Sequence, residues 1–96
     1  MAAPDVIRLS DQDNVAVAVR DIAAGARIRL GALELTALDP IPLGHKVAVS
    51  HIGAGQKILK FGVPVGSATA DIPAGRHVHM HNVKSDYLNN RDEHWE

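Results

Sequence analysis

The chain contains no cysteine. Disulfides, thiolate-held iron–sulfur clusters and a cysteine nucleophile are therefore excluded. Aromatic residues are almost as scarce. Phe61, Tyr87 and Trp95 are the only three, so a core must be built from Val, Ile, Leu and Ala. The formal charge of −1 leaves no basic footprint for nucleic acid. No apolar run approaches the roughly 20 residues that a membrane-spanning helix needs. The N-terminal stretch Met1–Asp13 lacks a charged segment followed by a long apolar run, so no signal peptide is expected. The expectation from these absences is a cytoplasmic protein with neither nucleic acid nor membrane as partner.

What is present is mostly β pattern. The 96 residues suit one small domain. Asn14 to Arg20 reads NVAVAVR, which sets Val15, Val17 and Val19 on one face and Ala16 and Ala18 on the other. Such alternation predicts a strand with a valine core face. His45–Ser50 alternates in the same way. Shorter extended segments are expected at Val6–Leu9, Arg27–Leu30, Leu33–Thr36, Lys57–Phe61, Gly66–Ala70 and His77–Val83. Glycine and proline punctuate the gaps between them. A short helical turn fits Pro42–Gly44. No longer segment combines helical periodicity with a cap. Many short strands joined by tight turns predict a compact all-β fold.

One short pattern recurs. Ile22 to Ile28, Ile52 to Ile58 and Ile72 to Val78 share Ile-x-Ala-Gly-x-x-Ile/Val, and Asp21 and Asp71 precede two of the copies. Glycine at the fourth position permits a positive φ, so each copy reads as a tight turn anchored by apolar neighbours. Unequal spacing argues against a solenoid, and convergence on one turn type is the simpler account. The domain is expected to occupy residues 1–84. Residues 85–96 form a polar tail carrying Tyr87 and Trp95, either a frayed terminus or a docking segment.

The segment His77-Val78-His79-Met80-His81-Asn82 holds three of the six histidines. On an extended strand, residues two apart share a face, so the three imidazoles would project together. Neutral imidazole ligates metals, and its protonation changes near neutral pH. A solvated strand face carrying idle histidines has the same signature. On a straight strand, His77 and His81 would stand about 13 Å apart along the backbone. Three ligands to one ion from this strand alone are therefore not expected. One or two of His77, His79 and His81 completing a site with residues from elsewhere fits better. His45 and Lys46 follow Gly44 at a turn, a pairing suited to a carboxylate or sulfonate. A lysine at a solvated strand end looks identical. Phosphate-loop, dinucleotide-binding, nucleophile-elbow and zinc-protease patterns are all absent.

Four segments together resemble the N-terminal domain of the altronate/galactarate dehydratase family. They are Asp13–Gly25, Ile41–Val49, Ile52–Gly75 and Arg76–Asn82, in that order. The specific elements are the Gly44-His45-Lys46 turn, the Lys60-Phe61-Gly62-Val63-Pro64-Val65-Gly66 segment and the His-rich ending. The resemblance implies a small SAF-type β-clip fold. It also implies lyase chemistry: loss of water from polyhydroxy sugar acids, or of sulfite from sulfolactate in a sister branch. It implies Fe2+ or a similar divalent metal in the holoenzyme, and a large catalytic dehydratase subunit as partner. On this reading the chain is a separate small subunit or an isolated domain, inactive alone. His79 and His81 are then the expected catalytic residues. His45, Lys46 and Asn82 are the expected contacts to an acidic sugar, with Asn82 alternatively orienting a histidine. His77, His79 and His81 are the candidate metal ligands. The other reading is a non-catalytic SAF-type module that binds a sugar acid or a partner.

Overall fold

The computed structural model describes residues 5–86. Nine short strands make up its regular structure. They are β1 (Val6–Ile7), β2 (Val15–Ala18), β3 (Arg27–Leu30), β4 (Leu33–Thr36), β5 (Lys46–Ala48), β6 (Lys57–Lys60), β7 (Val63–Ala68), β8 (His77–Val78) and β9 (Val83–Lys84). The all-β expectation holds. One sheet has the order β1-β2-β5-β8, β3 pairs with β4 as a hairpin, and a third sheet runs β6-β7-β9. All these pairings are antiparallel. Among the described residues no helix is long and apolar enough to cross a membrane. The tail aromatics Tyr87 and Trp95 lie outside the described residues.

The recurring turn organises the chain, and it occurs four times rather than three. In each, a backbone N–H bonds back three residues: Ala26 to Ala23, His45 to Pro42, Gln56 to Gly53 and Arg76 to Pro73. The glycine before each donor has φ between 84° and 91°, as a type II turn requires at its third residue. The extra copy begins at Ile41. It has Leu43 where the others have alanine, which hid it in the sequence. The expected helical turn at Pro42–Gly44 is this β-turn.

Each turn also exchanges two backbone hydrogen bonds with a distant alanine. Gly25 and Ala26 bind Ala37, Gly44 and His45 bind Ala18, Gly55 and Gln56 bind Ala68, and Gly75 and Arg76 bind Ala48. The turns come in pairs. Ile22 bridges Ile41, and Ile52 bridges Ile72. Asp21 accepts from the Leu43 N–H at 2.8 Å, and Asp71 accepts from the Ala54 N–H at 2.9 Å. The two aspartates thus do the same job in the two halves of the chain.

The core divides the same way. One cluster gathers Val6, Ala16, Ala18, Ile22, Ile41 and Val47 with their neighbours. The other gathers Val15, Ala48, Ile52, Ile58, Ile72 and Val78. This corrects the expected valine face of β2. Ala16 and Ala18 are buried, whereas Val19 is 37% exposed. β2 is flanked on both sides, and its small side chains admit the close approach of the turns.

Asp13, expected in a loop, is 3% exposed. Its carboxylate accepts from the N–H groups of Phe61 at 2.8 Å and Gly62 at 2.7 Å. These two residues form the turn of the β6–β7 hairpin, with φ of 55° and 79°. A two-residue turn of this kind needs positive φ at both positions, which costs a phenylalanine about 1–2 kcal/mol. The Asp13 bonds offset that cost. Burial raises the Asp13 pKa, but hydrogen bonds from Gly62, Phe61, Ser10 and Leu9 outweigh it, so the carboxyl lies below its ordinary value.

A lowered native pKa stabilises the fold above the unfolded value of about 3.9, and that contribution is lost as pH falls through the folded value. Asp13→Asn is therefore expected to cost about 1.5–3 kcal/mol at pH 7, because both turn amides lose a charged acceptor and one is left facing an NH2 group. Urea unfolding of both proteins from pH 7 down to about pH 2 checks this. The gap should narrow with acid; a gap independent of pH contradicts the assignment.

Candidate functional site

The segment expected as one strand from His77 to Val83 is not straight. Only His77–Val78 is strand; residues 79–82 turn before β9 begins at Val83. The reason is Asn82. Its side-chain Oδ1 accepts from the His79 N–H at 3.0 Å, and its Nδ2 donates to the His77 carbonyl at 2.9 Å. The Asn82 N–H also donates to the His79 carbonyl. The side chain is buried at 8% exposure and committed to these bonds. Asn82 thus fixes the backbone that carries His79.

The turn folds the histidines together instead of stringing them along a face. His77 and His81 have ring centroids 5.2 Å apart. His45 enters from the neighbouring strand, because its turn feeds β5 and β5 pairs with β8, Val47 opposite His77. The rings of His45 and His79 stack at 4.1 Å. His45 Nδ1 and His77 Nε2 lie 2.8 Å apart, a hydrogen bond in which one ring donates to the other. One ligand atom from each of His45, His77 and His79 falls within 4.8 Å of the others. His81 is exposed and outside this group of three. Sequence reasoning had set His45 apart as a substrate contact. What joins it to His77 is the β5–β8 pairing, a long-range contact with no local signal.

Asp39 was also missed, and nothing in its sequence context marks it. It accepts from the His77 N–H at 3.0 Å and from Arg76 Nη1 at 2.8 Å. Burial pushes its pKa up, but the His77 and Arg76 hydrogen bonds prevail and hold the carboxyl below its usual range. His77 is shifted down by burial and then by the neighbouring imidazoles, His45 first. His79 is shifted down likewise, by burial, then by His45 and Lys46. Both rings therefore favour the neutral form, which can accept a proton or ligate a cation.

Lys46 lies on the other side of His79. Burial lowers its pKa, and the charge of Lys60 lowers it further. Together with Val65, His79, Met80, Val83 and Ser85 it lines an open cavity of about 200 Å³. His79 thus borders both the imidazole cluster and a cavity carrying an ammonium group.

Three imidazoles suit a borderline divalent ion such as Fe2+ or Zn2+. Two ligands of one such ion, each at about 2.1 Å, stand no more than about 4.2 Å apart, so the three ligand atoms, now within 4.8 Å of one another, would draw together and the near-parallel rings would turn to close the set. The donor set therefore fits the metal that the resemblance implies.

A family model described as the altronate/galactarate dehydratase SAF domain matches residues 4–86. The chain belongs to this family. The SAF domain is 40% identical over 79 residues to altronate dehydratase of Bacillus subtilis (strain 168), an alignment covering 82% of this chain and 16% of that protein. It is 44% identical over 71 residues to galactarate dehydratase (L-threo-forming) of Escherichia coli (strain K12), covering 72% of this chain and 13% of that protein. It is also 43% identical over 51 residues to the (2R)-sulfolactate sulfo-lyase subunit alpha of Paracoccus pantotrophus, covering 53% of this chain and 76% of that subunit. The SAF domain thus spans about one sixth of the altronate dehydratases it matches and most of a sulfo-lyase alpha subunit.

Asn82→Ala leaves the His79 N–H and the His77 carbonyl without their side-chain partner. The expected loss is about 1–3 kcal/mol of stability. The histidine ring resonances should move with it in NMR spectra. Unchanged ring shifts would separate Asn82 from the placement of the cluster.

Proposed function

We propose that this SAF domain is the small component of a dehydratase-type lyase, cytoplasmic, that acts on an acidic hydroxy sugar such as altronate or galactarate together with a large catalytic chain. Sulfite is the alternative leaving group, as in the sulfo-lyase relatives. The observation that carries the reading is the position of His79, between a cluster of imidazoles and a cavity bearing Lys46. Membership of the dehydratase family supplies the class of reaction.

Elimination beside a carboxylate needs three things: a group to hold the carboxylate, a base for the proton on the adjacent carbon, and a donor for the departing hydroxyl. Lys46 brings a half-buried ammonium group to the cavity, where a carboxylate gains more from it than in bulk water. His79 stands next to that site, where as a ligand it would set the ion beside the substrate. His81 is exposed on the same turn, outside the ligand group, and is the candidate for the proton transfers. His45 and His77 keep the His79 ring in place by stacking at 4.1 Å and 5.5 Å. Fe2+ or a similar ion, held by the imidazoles, would supply Lewis acidity for the leaving oxygen.

The test is recovery of the tagged chain from its native host with any large dehydratase-like chain, followed by assays on altronate, galactarate and sulfolactate. Turnover is expected only with both chains. Lys46→Met should raise KM about tenfold, equivalent to about 1.4 kcal/mol, with kcat little changed. His79→Ala should lower kcat by about 100-fold or more. Tight binding of a sugar acid by the chain alone, with no turnover in any combination, would point instead to a non-catalytic recognition module.

A further inference from the structure

We infer that His45, His77 and His79 form a self-contained site for one divalent transition-metal ion, complete within this chain and assembled without the large catalytic partner. The inference rests on the reading above for what the ion would do, but not for whether it binds.

Each ring is positioned by a different piece of backbone, and each piece is independently fixed. His45 closes the turn from Pro42, and its carbonyl accepts from the Ala18 N–H at 2.9 Å. His77 sits on β8 opposite Val47, with its N–H on Asp39. His79 begins the turn that Asn82 holds. Little conformational freedom remains to be lost on binding, which is the main cost an unformed site would incur. All three rings are partly buried, and their ligand atoms lie within 4.8 Å of one another.

The donor set also selects the class of ion. Three imidazoles without a carboxylate favour Zn2+, Fe2+, Co2+ or Ni2+ and disfavour Mg2+ and Ca2+, which prefer oxygen. Asp39, beside His77, adds a favourable charge. Lys46, beside His79, opposes a cation, and the balance leaves net positive charge facing the cavity. An ion held by three protein ligands keeps further positions open, so an anionic oxygen from a substrate is the ligand it would take next. His81 is excluded from the set, although it lies on the same turn. The bond that the ion must replace is the one between His45 and His77. Those two residues are 32 apart in sequence, so binding would tie the turn before β5 to β8.

The test uses the 96-residue chain and no enzymatic readout. Co2+ is titrated in and followed by its visible absorption, and Zn2+ and Mg2+ are compared by calorimetry. One Co2+ or Zn2+ per chain is expected, with a raised Tm and no comparable Mg2+ binding. His45→Phe keeps a ring for stacking but removes the ligand nitrogen. It should weaken binding by at least tenfold, on the order of the 10–100-fold loss seen when even outer partners of a ligand are removed. His77→Phe and His79→Ala should do the same, while His81→Ala should stay within about twofold. Circular dichroism shows whether each variant folds. Should one fail to fold, NMR of the unaltered chain decides: Zn2+ should shift the ring signals of His45, His77 and His79 and leave His51 in place. Absence of saturable Co2+ or Zn2+ binding would overturn the inference, and so would binding that survives His45→Phe. A chain that binds metal but yields no lyase in any combination sinks the lyase reading alone.

Discussion

The domain depends on one small exchange: two backbone hydrogen bonds between an Ile-x-x-Gly turn and an alanine far away in sequence. With hardly any aromatic side chains to fill space, the chain cannot rely on large core residues. It relies on close backbone approach instead, and alanine is what lets backbones approach. The four partners, Ala18, Ala37, Ala48 and Ala68, are all 0–2% exposed. The fit is closest at Gly75, where a Cβ would overlap the Thr36 carbonyl oxygen. Nine strands of two to six residues would be marginal as separate ribbons. Bridged isoleucines and shared turns make them one object.

This reliance explains what could be read in advance. Strand positions such as Arg27–Leu30 and Leu33–Thr36 were legible because alternation and flanking glycines are local signals. The burial of β2 was not, because its valines and alanines are sorted by what lies against each face, and that is a long-range fact. Asp13 looked like a loop carboxylate. Its partners Phe61 and Gly62 are nearly fifty residues away, beyond the reach of any spacing argument. Family resemblance, by contrast, was legible in full, because it is carried by contiguous motifs.

The candidate site was half legible for the same reason. The histidines were visible, but their geometry was assigned from strand periodicity. One buried asparagine side chain converts that extended segment into a turn. The change moves the histidines from a line to a cluster and brings His45 into it. Nothing in the local sequence distinguishes an Asn82 that meets solvent from one that folds beneath His79. The functional assignment therefore turns on a structural residue, and Lys46 gains meaning only because His79 shares its cavity.

The residue immediately after each turn glycine has an unusual freedom. Its backbone is pinned, since its N–H closes the turn and its carbonyl receives the alanine N–H. Its identity is unconstrained by those bonds. The four occupants are Ala26, His45, Gln56 and Arg76, chemically unrelated side chains in equivalent positions. The architecture thus offers sockets of fixed direction whose contents can be exchanged without rebuilding the scaffold. Two of these sockets, filled by His45 and Arg76, flank β8, and these are the two that carry ionisable groups. A fold made of repeated turns can in this way acquire chemistry one side chain at a time.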